Sequence, residues 1–195
     1  MMLHRWGEVE YSKARDMMQD IHTLALEDSK NHLILCSHPN VFTVGSDCGE
    51  KFFVDVIKSD RGGSITCHSP GQNIFYFCFQ AASPVVFYKK VLSAFELFFA
   101  QYLPEVFYDK KEPGFYIQNR KIASLGFRYS QGVSLHGVAL NVAVNLDFHR
   151  QVHPCNLEGI SATSLEAESV NLTQDEVNQA VVYFLERSFD DAIQA

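Results

Sequence analysis

The sequence predicts an α+β domain, built as a mixed, largely antiparallel sheet flanked by helices. Three observations carry this. Helical periodicity is confined to three stretches far apart in the chain. The runs between them are short, apolar and rich in β-branched and aromatic residues. Several gaps between neighbouring runs are of turn length, too short for the helical crossovers of a parallel, doubly wound sheet.

Each element has its own grounds. Ser12 can cap a first helix in which Ala14, Met17, Met18, Ile21, Leu24 and Ala25 recur at helical spacing. Strand-like runs follow at 32–36, at 54–57 and, dense in aromatics, at 74–80. Ser83 and Pro84 open a second helix, because the hydroxyl can take an orphan N–H and proline has none to lose there. Its apolar face is Tyr88, Val91, Leu92, Phe95, Phe98, Phe99 and Tyr102, and Pro104 stops it. A strand at 115–117 precedes a turn at Asn119-Arg120. Runs at 122–129 and 134–144 read as neighbouring strands joined by Ser130-Gln131-Gly132. Thr173-Gln174-Asp175-Glu176 fits a capping box for a third helix, with Val177, Ala180, Val181, Phe184 and Leu185 on one face.

The 195 residues suffice for one domain with a real core. Sixteen Lys and Arg against 23 Asp and Glu give a net charge of −7. That disfavours a whole-surface nucleic-acid binder, since phosphate neutralisation needs a basic face. The five cysteines, at 36, 48, 67, 78 and 155, are odd in number and form no CxxC pair. A fully paired disulfide framework within the chain is excluded, and a zinc knuckle is disfavoured. Cys36 and Cys78 read as core strand residues, in a reducing compartment. No signal-peptide pattern opens the chain, and Lys89, Lys90 and Glu96 interrupt its most apolar long stretch, 84–103. The expectation is a cytoplasmic protein without membrane or nucleic-acid partners.

Four segments can carry chemistry. Gly45-Ser46-Asp47-Cys48-Gly49-Glu50-Lys51 has glycines one residue too close for a P-loop, and its lysine does not directly follow the second glycine. There is no GxGxxG, so nothing asks for ATP or a dinucleotide cofactor. In Arg61-Gly62-Gly63-Ser64-Ile65-Thr66-Cys67-His68, paired glycines let backbone approach a ligand, and Thr66 and His68 share a side if the segment is extended. A long structured loop with a satisfied histidine is the alternative. Lys121 heads the apolar run Ile122-Ala123-Ser124-Leu125-Gly126. It is either a solvated strand end or a lysine leaning into a pocket, where desolvation would make it a usable acid/base. Gly137 and Ala139 leave room for an apolar ligand against the sheet, or permit close packing. Cys155, after Pro154, suits a loop nucleophile if a cation favours its thiolate, and a buried inert cysteine otherwise. His149, His153 and Cys155 have no standard zinc spacing, so no metal is assigned.

Taken in order, these segments resemble one family, the octanoyl (lipoyl) transferases of protein lipoylation. The likeness is carried by His38-Pro39-Asn40-Val41-Phe42-Thr43-Val44-Gly45, Arg61-Gly62-Gly63 through Gln72, and Pro113-Gly114-Phe115-Tyr116. It continues through Lys121-Ile122-Ala123-Ser124-Leu125-Gly126, His136-Gly137-Val138-Ala139-Leu140-Asn141-Val142, Pro154-Cys155 and Thr163-Ser164-Leu165. The resemblance implies a single catalytic acyltransferase domain over 1–195, similar in fold to the catalytic domain of biotin and lipoate protein ligases. It implies an octanoyl-acyl carrier protein donor, lipoyl-domain acceptors in 2-oxoacid dehydrogenase complexes and the glycine cleavage H protein, no cofactor and a monomer. Cys155 matches the acyl-accepting nucleophile and Lys121 its acid/base. The acyl pocket matches Arg61, Gly62, Gly63, Ser64, Ile65, Thr66, Cys67, His68, Ser124, Leu125, Gly126, Gly137, Val138 and Ala139.

The chain departs from the family at Cys67, usually tyrosine, at Ser69, usually glycine, and at Asn156, also usually glycine. Rival readings are a relay amidotransferase, an ATP-dependent lipoate ligase, and a non-catalytic module that binds acyl carriers or lipoyl domains. An acidic carrier protein would be repelled by the net charge, so docking calls for a basic patch, with Lys110, Lys111, Arg120 and Arg128 as candidates.

Overall fold

The structure, a computed structural model, describes residues 1–46, 54–151, 159–191 and 193. In chain order the elements are β1 Met2–Glu8, α1 Tyr11–Asp28, β2 His32–Ser37, β3 Val41–Val44, β4 Val56–Lys58, β5 Ile65–His68, β6 Gln72–Cys78 and α2 Pro84–Tyr102. They continue with β7 Phe107–Asp109, β8 Gly114–Ile117, β9 Arg120–Ser130, β10 Val133–Asn141, α3 Leu146–His149, β11 Ser161–Ala162 and α4 Gln174–Phe189.

The strands form a large sheet in the order β1-β2-β6-β10-β9-β8-β7, with β11 beside β9, and a small sheet β4-β3-β5. Among the described residues only the β1–β2, β9–β11 and β3–β4 pairings are parallel. The sheet is therefore mixed and largely antiparallel, as the turn-length gaps require. Period-two alternation sorts the core into two layers. On one face Leu33, Leu35, Phe75, Phe77, Phe115, Val138 and Leu140 pack against α2 and α4. On the other Ile34, Ile74, Tyr76, Leu135 and Ala139 pack against α1. β6 and β10 are buried along their whole length because both faces are covered.

The second and third helices follow their caps. Ser83 Oγ accepts from Val86 N–H with Pro84 in the first turn, and Thr173 and Glu176 form the reciprocal capping box. The first helix differs from expectation. It begins at Tyr11, and Ser12 lies inside it rather than capping it. Its buried stripe is Tyr11, Ala14, Met18, His22 and Ala25, while Leu24 is exposed. His22 replaces an apolar residue there because its Nε2 reaches the Ser130 carbonyl at 3.1 Å. The strand expected at 54–57 starts two residues later, at Val56. Among the described residues no helix is long and apolar enough to cross a membrane.

One irregularity sits in the middle of β10. His136 has φ +62°, a left-handed conformation that strands rarely contain. The β10–β6 ladder opens there, and Ser134 Oγ fills the gap, accepting from Phe79 N–H at 3.1 Å and donating to the Phe77 carbonyl at 2.8 Å. The turn places the His136 ring against Asp60, with Nε2 2.6 Å from Oδ1. Asp60 immediately precedes the Arg61-Gly62-Gly63 segment, so this contact ties that segment to the central strand.

Candidate active site

Three spaces meet around Thr66 and Ser124, which line all of them. The largest is an open groove of about 480 Å³. Arg61, Gly62, Gly63, Ser64, Leu125 and Gly126 line it, together with Lys121, Tyr88 and Tyr129. A small inner chamber, of about 30 Å³, is bounded by His68, Leu125, Gly126, Gly137, Val138 and Ala139. A second small cavity, also about 30 Å³, is bounded by Ile65, Cys67, Lys121 and His149. The fourteen residues matched to an acyl pocket thus all line one or more of these spaces. Cys155 lies outside the described residues, as do His153, Asn156 and Cys48.

Each wall has a local cause. The Arg61 segment is not a free loop, because residues 65–68 form β5 and pair antiparallel with β3. The Arg61 guanidinium is buried and turned back on its own segment. It donates to the Thr43 carbonyl at 3.0 Å, the Ser64 carbonyl at 2.9 Å and the Gly62 carbonyl at 3.0 Å. A lysine could not span three carbonyls in this way. Arg61 therefore shapes the groove wall through the backbone.

Lys121 is 5% exposed, so the solvated strand end is not what forms. Its ammonium lies over the Tyr116 ring, 5.3 Å from the centroid. Gly114 makes this path possible, because a Cβ there would stand 2.5 Å from Lys121 Cε and 2.8 Å from the Ala123 carbonyl. Gly137 is small for a different reason. A Cβ at 137 would meet the Phe75 carbonyl at 1.9 Å and the Phe77 ring at 2.7 Å. Close approach of the neighbouring strand, rather than room for a ligand, demands glycine there.

A directed chain of amides fixes the tautomer of His68. The Thr163 carbonyl can only accept, so Asn141 must present Nδ2 to it, at 2.8 Å. Asn141 Oδ1 then accepts from Gln72 Nε2 at 2.8 Å, and Gln72 Oε1 accepts from His68 Nδ1 at 2.8 Å. The proton of neutral His68 is therefore on Nδ1, leaving the lone pair on Nε2. Burial, reinforced by the nearby His38, holds the ring neutral well below the ordinary histidine range. Thr163 N–H in turn donates to the Lys121 carbonyl at 3.0 Å, so the chain ends beside the lysine.

Burial dominates the remaining titrations. The Cys67 thiol, at the edge of the second cavity, is pushed up to about 12 and Cys78 to about 12. Both are therefore inert thiols at neutral pH. Cys36 is raised further in the same core. His136 is held down at about 3 by burial and by Arg61, Arg128 and Arg15, so its bond to Asp60 joins a neutral imidazole to a carboxylate. His149, buried, is down at about 4 and bonds Ser69 Oγ through Nε2 at 2.9 Å. Among the described residues no three His, Cys, Asp or Glu side chains are placed to hold a metal.

Tyr11, Gln72, Asn141 and His149 line these spaces too, and the motif spacing singles out none of them as site residues. For Gln72 and Asn141 a signal exists, since amides in apolar strands must find partners when buried. The proposed basic patch is partly spent. Arg120 is bidentate to Glu168, at 2.8 and 2.9 Å, and Arg128 pairs with Asp60.

Comparison with known proteins accords with this geometry. The chain is 33% identical over 199 residues to the octanoyltransferase of Neisseria meningitidis serogroup C, covering 96% of this chain and 95% of that one. The fold superimposes on lipoate-protein ligase A bound with ATP, with a TM-score of 0.73 at 15% identity, covering all of this chain and 89% of that one. It also superimposes on the Leishmania major biotin protein ligase in complex with biotinyl-5-AMP, with a TM-score of 0.59 at 12% identity over 97% and 75% of the two chains. The family model for the lipoyl protein ligase A/B catalytic domain matches residues 10–186. The chain belongs to that family.

Proposed function

We propose that residues 1–195 act as one catalytic domain that moves an octanoyl group from an acyl carrier protein thioester to a lysine of a lipoyl domain, through an acyl-thioester on Cys155. The observation that carries this reading is the buried Lys121 where an open groove meets a small polar cavity. The octanoyltransferase relative, matched along 96% of the chain, supports the identity of the group transferred.

The chemistry suits such a site. Thiolate attack on a thioester exchanges one thioester for another, so acylation is nearly isoenergetic and asks for no ATP. Aminolysis by the acceptor then runs downhill to an amide. Lys121 as an ammonium favours the Cys155 thiolate, and after giving up a proton it can serve as base. The groove volume lies in the range of ligand clefts. Apolar burial of the chain contributes about 0.8 kcal/mol per CH₂. The setting proposed is cytoplasmic, with the enzyme working as a monomer.

The test is intact-mass measurement after mixing with octanoyl carrier protein. One octanoyl mass is expected on the wild type and none on Cys155→Ala. A Cys155→Ala chain that transfers at the wild-type rate would overturn the mechanism. Transfer from free octanoate only with ATP would favour a ligase.

A further inference from the structure

We propose that His149 carries away the proton that the acceptor amine releases to solvent, and that Ser69 orients its ring for this. The inference rests on the octanoyl-transfer reading and assigns a step within it. An acceptor lysine arrives as an ammonium and leaves as an amide, which removes two protons. The C–N bond forms, the C–S bond breaks, and one proton goes to the departing sulfur. The other must leave the site. Lys121 can serve the first transfer, and a second acceptor is needed for the other.

His149 meets that need by position. It lines the same small cavity as Lys121, together with Thr66, Gln72, Ser124 and Asn141. The cavity's 30 Å³ and polar walls suit a water or two between the two side chains. Nε2 of His149 is engaged by Ser69, itself buried, across 80 positions of chain, which leaves Nδ1 for proton transfer. Phe148, stacked on Phe42 at 4.7 Å, holds α3 from the other side. Among the described residues the titratable groups around the ring are Lys121 from β9 and Cys67 and His68 from β5. On its own helical turn, Asp147 and Arg150 pair with each other. Burial keeps the imidazole unprotonated near neutrality and makes it a weak base, so a proton it takes is passed on at once.

The experiment separates the two half-reactions. Enzyme is loaded from octanoyl carrier protein, isolated and mixed with a lipoyl domain, and the octanoyl mass is followed. His149→Phe is expected to slow aminolysis about tenfold or more beyond any slowing of acylation, and in His149→Ala, which leaves room for the ring, added imidazole is expected to restore the rate. Ser69→Gly is expected to slow aminolysis less and to alter its pH profile. Equal slowing of both half-reactions without imidazole rescue would reduce His149 to a packing residue and overturn the proposal. So would wild-type aminolysis kinetics in His149→Phe or, should that variant fail to fold, an unchanged pH profile in Ser69→Gly. A wild type that never acquires octanoyl mass would overturn the transfer reading itself, a result distinct from either.

Discussion

The stem of Lys121 occupies the space that a side chain at position 114 would fill. Gly114→Ala should therefore displace the ammonium, with a smaller push on the Ala123 carbonyl. On the role proposed for Lys121, the expected result is a loss of about a hundredfold in single-turnover acylation, the scale set by misplacing a catalytic group by about 1 Å. Circular dichroism should show the fold retained. A second prediction concerns the buried histidines. The folded-state pKa values of His136 and His149, about 3 and about 4, lie below the unfolded value of 6.5. The unfolded chain then binds more protons, so stability is full above pH 6.5 and declines as pH falls from there toward 3. Urea midpoints measured at pH 7.5, 6 and 5 should fall in that order, and His149→Phe should flatten the fall. Sequence left Lys121 open between solvent and pocket, because a lysine heading an apolar strand suits both. The burial was decided by a glycine seven positions upstream. Arg61 was matched to the pocket by resemblance, but its bonds to its own backbone were not legible, since only the folded segment brings the Thr43, Gly62 and Ser64 carbonyls within reach.

At the level of elements, the long helices were readable, and of the short strands β4 and β8 were read while β3, β5, β7 and β11 were not. Caps and periodicity marked α2 and α4, because each signal extends over several turns. Thr173→Ala should remove the Oγ that accepts from Glu176 N–H and lower the unfolding free energy by about 1 kcal/mol in urea titration. β3, β5 and β7 run three or four residues each, and β11 two, too short for a period-two pattern to stand out. They are strands because a partner is present. β1 was missed for another reason, since Arg5, Gly7 and Glu8 break its apolar pattern at an exposed edge. α3 went unread, though its cap carries a signal. Asn145 accepts from Asp147 and Phe148 N–H, and an asparagine before Leu-Asp-Phe is a readable start.

The molecule as a whole carries −7, yet it is proposed to receive an acidic carrier. Glu168 and Asp60 already engage Arg120 and Arg128, which leaves Lys110 and Lys111 as the stronger candidates, with Lys111 on the groove wall. Reversing both to Glu should lower kcat/KM for the octanoyl carrier and flatten its dependence on salt, with a smaller effect on turnover of a small octanoyl thioester. Equal rates with the carrier would place docking elsewhere. The amide chain through the site also acts at this scale. His68 lies on β5, Gln72 on β6, Asn141 on β10, and Thr163 just past β11, so four separate stretches must assemble before the last carbonyl can set the first proton. A collapsed chain with its strands formed but its packing loose would let the imidazole sample both tautomers. The ring nitrogens of His68 thus serve as an internal reporter of complete assembly, readable by nitrogen NMR without any substrate.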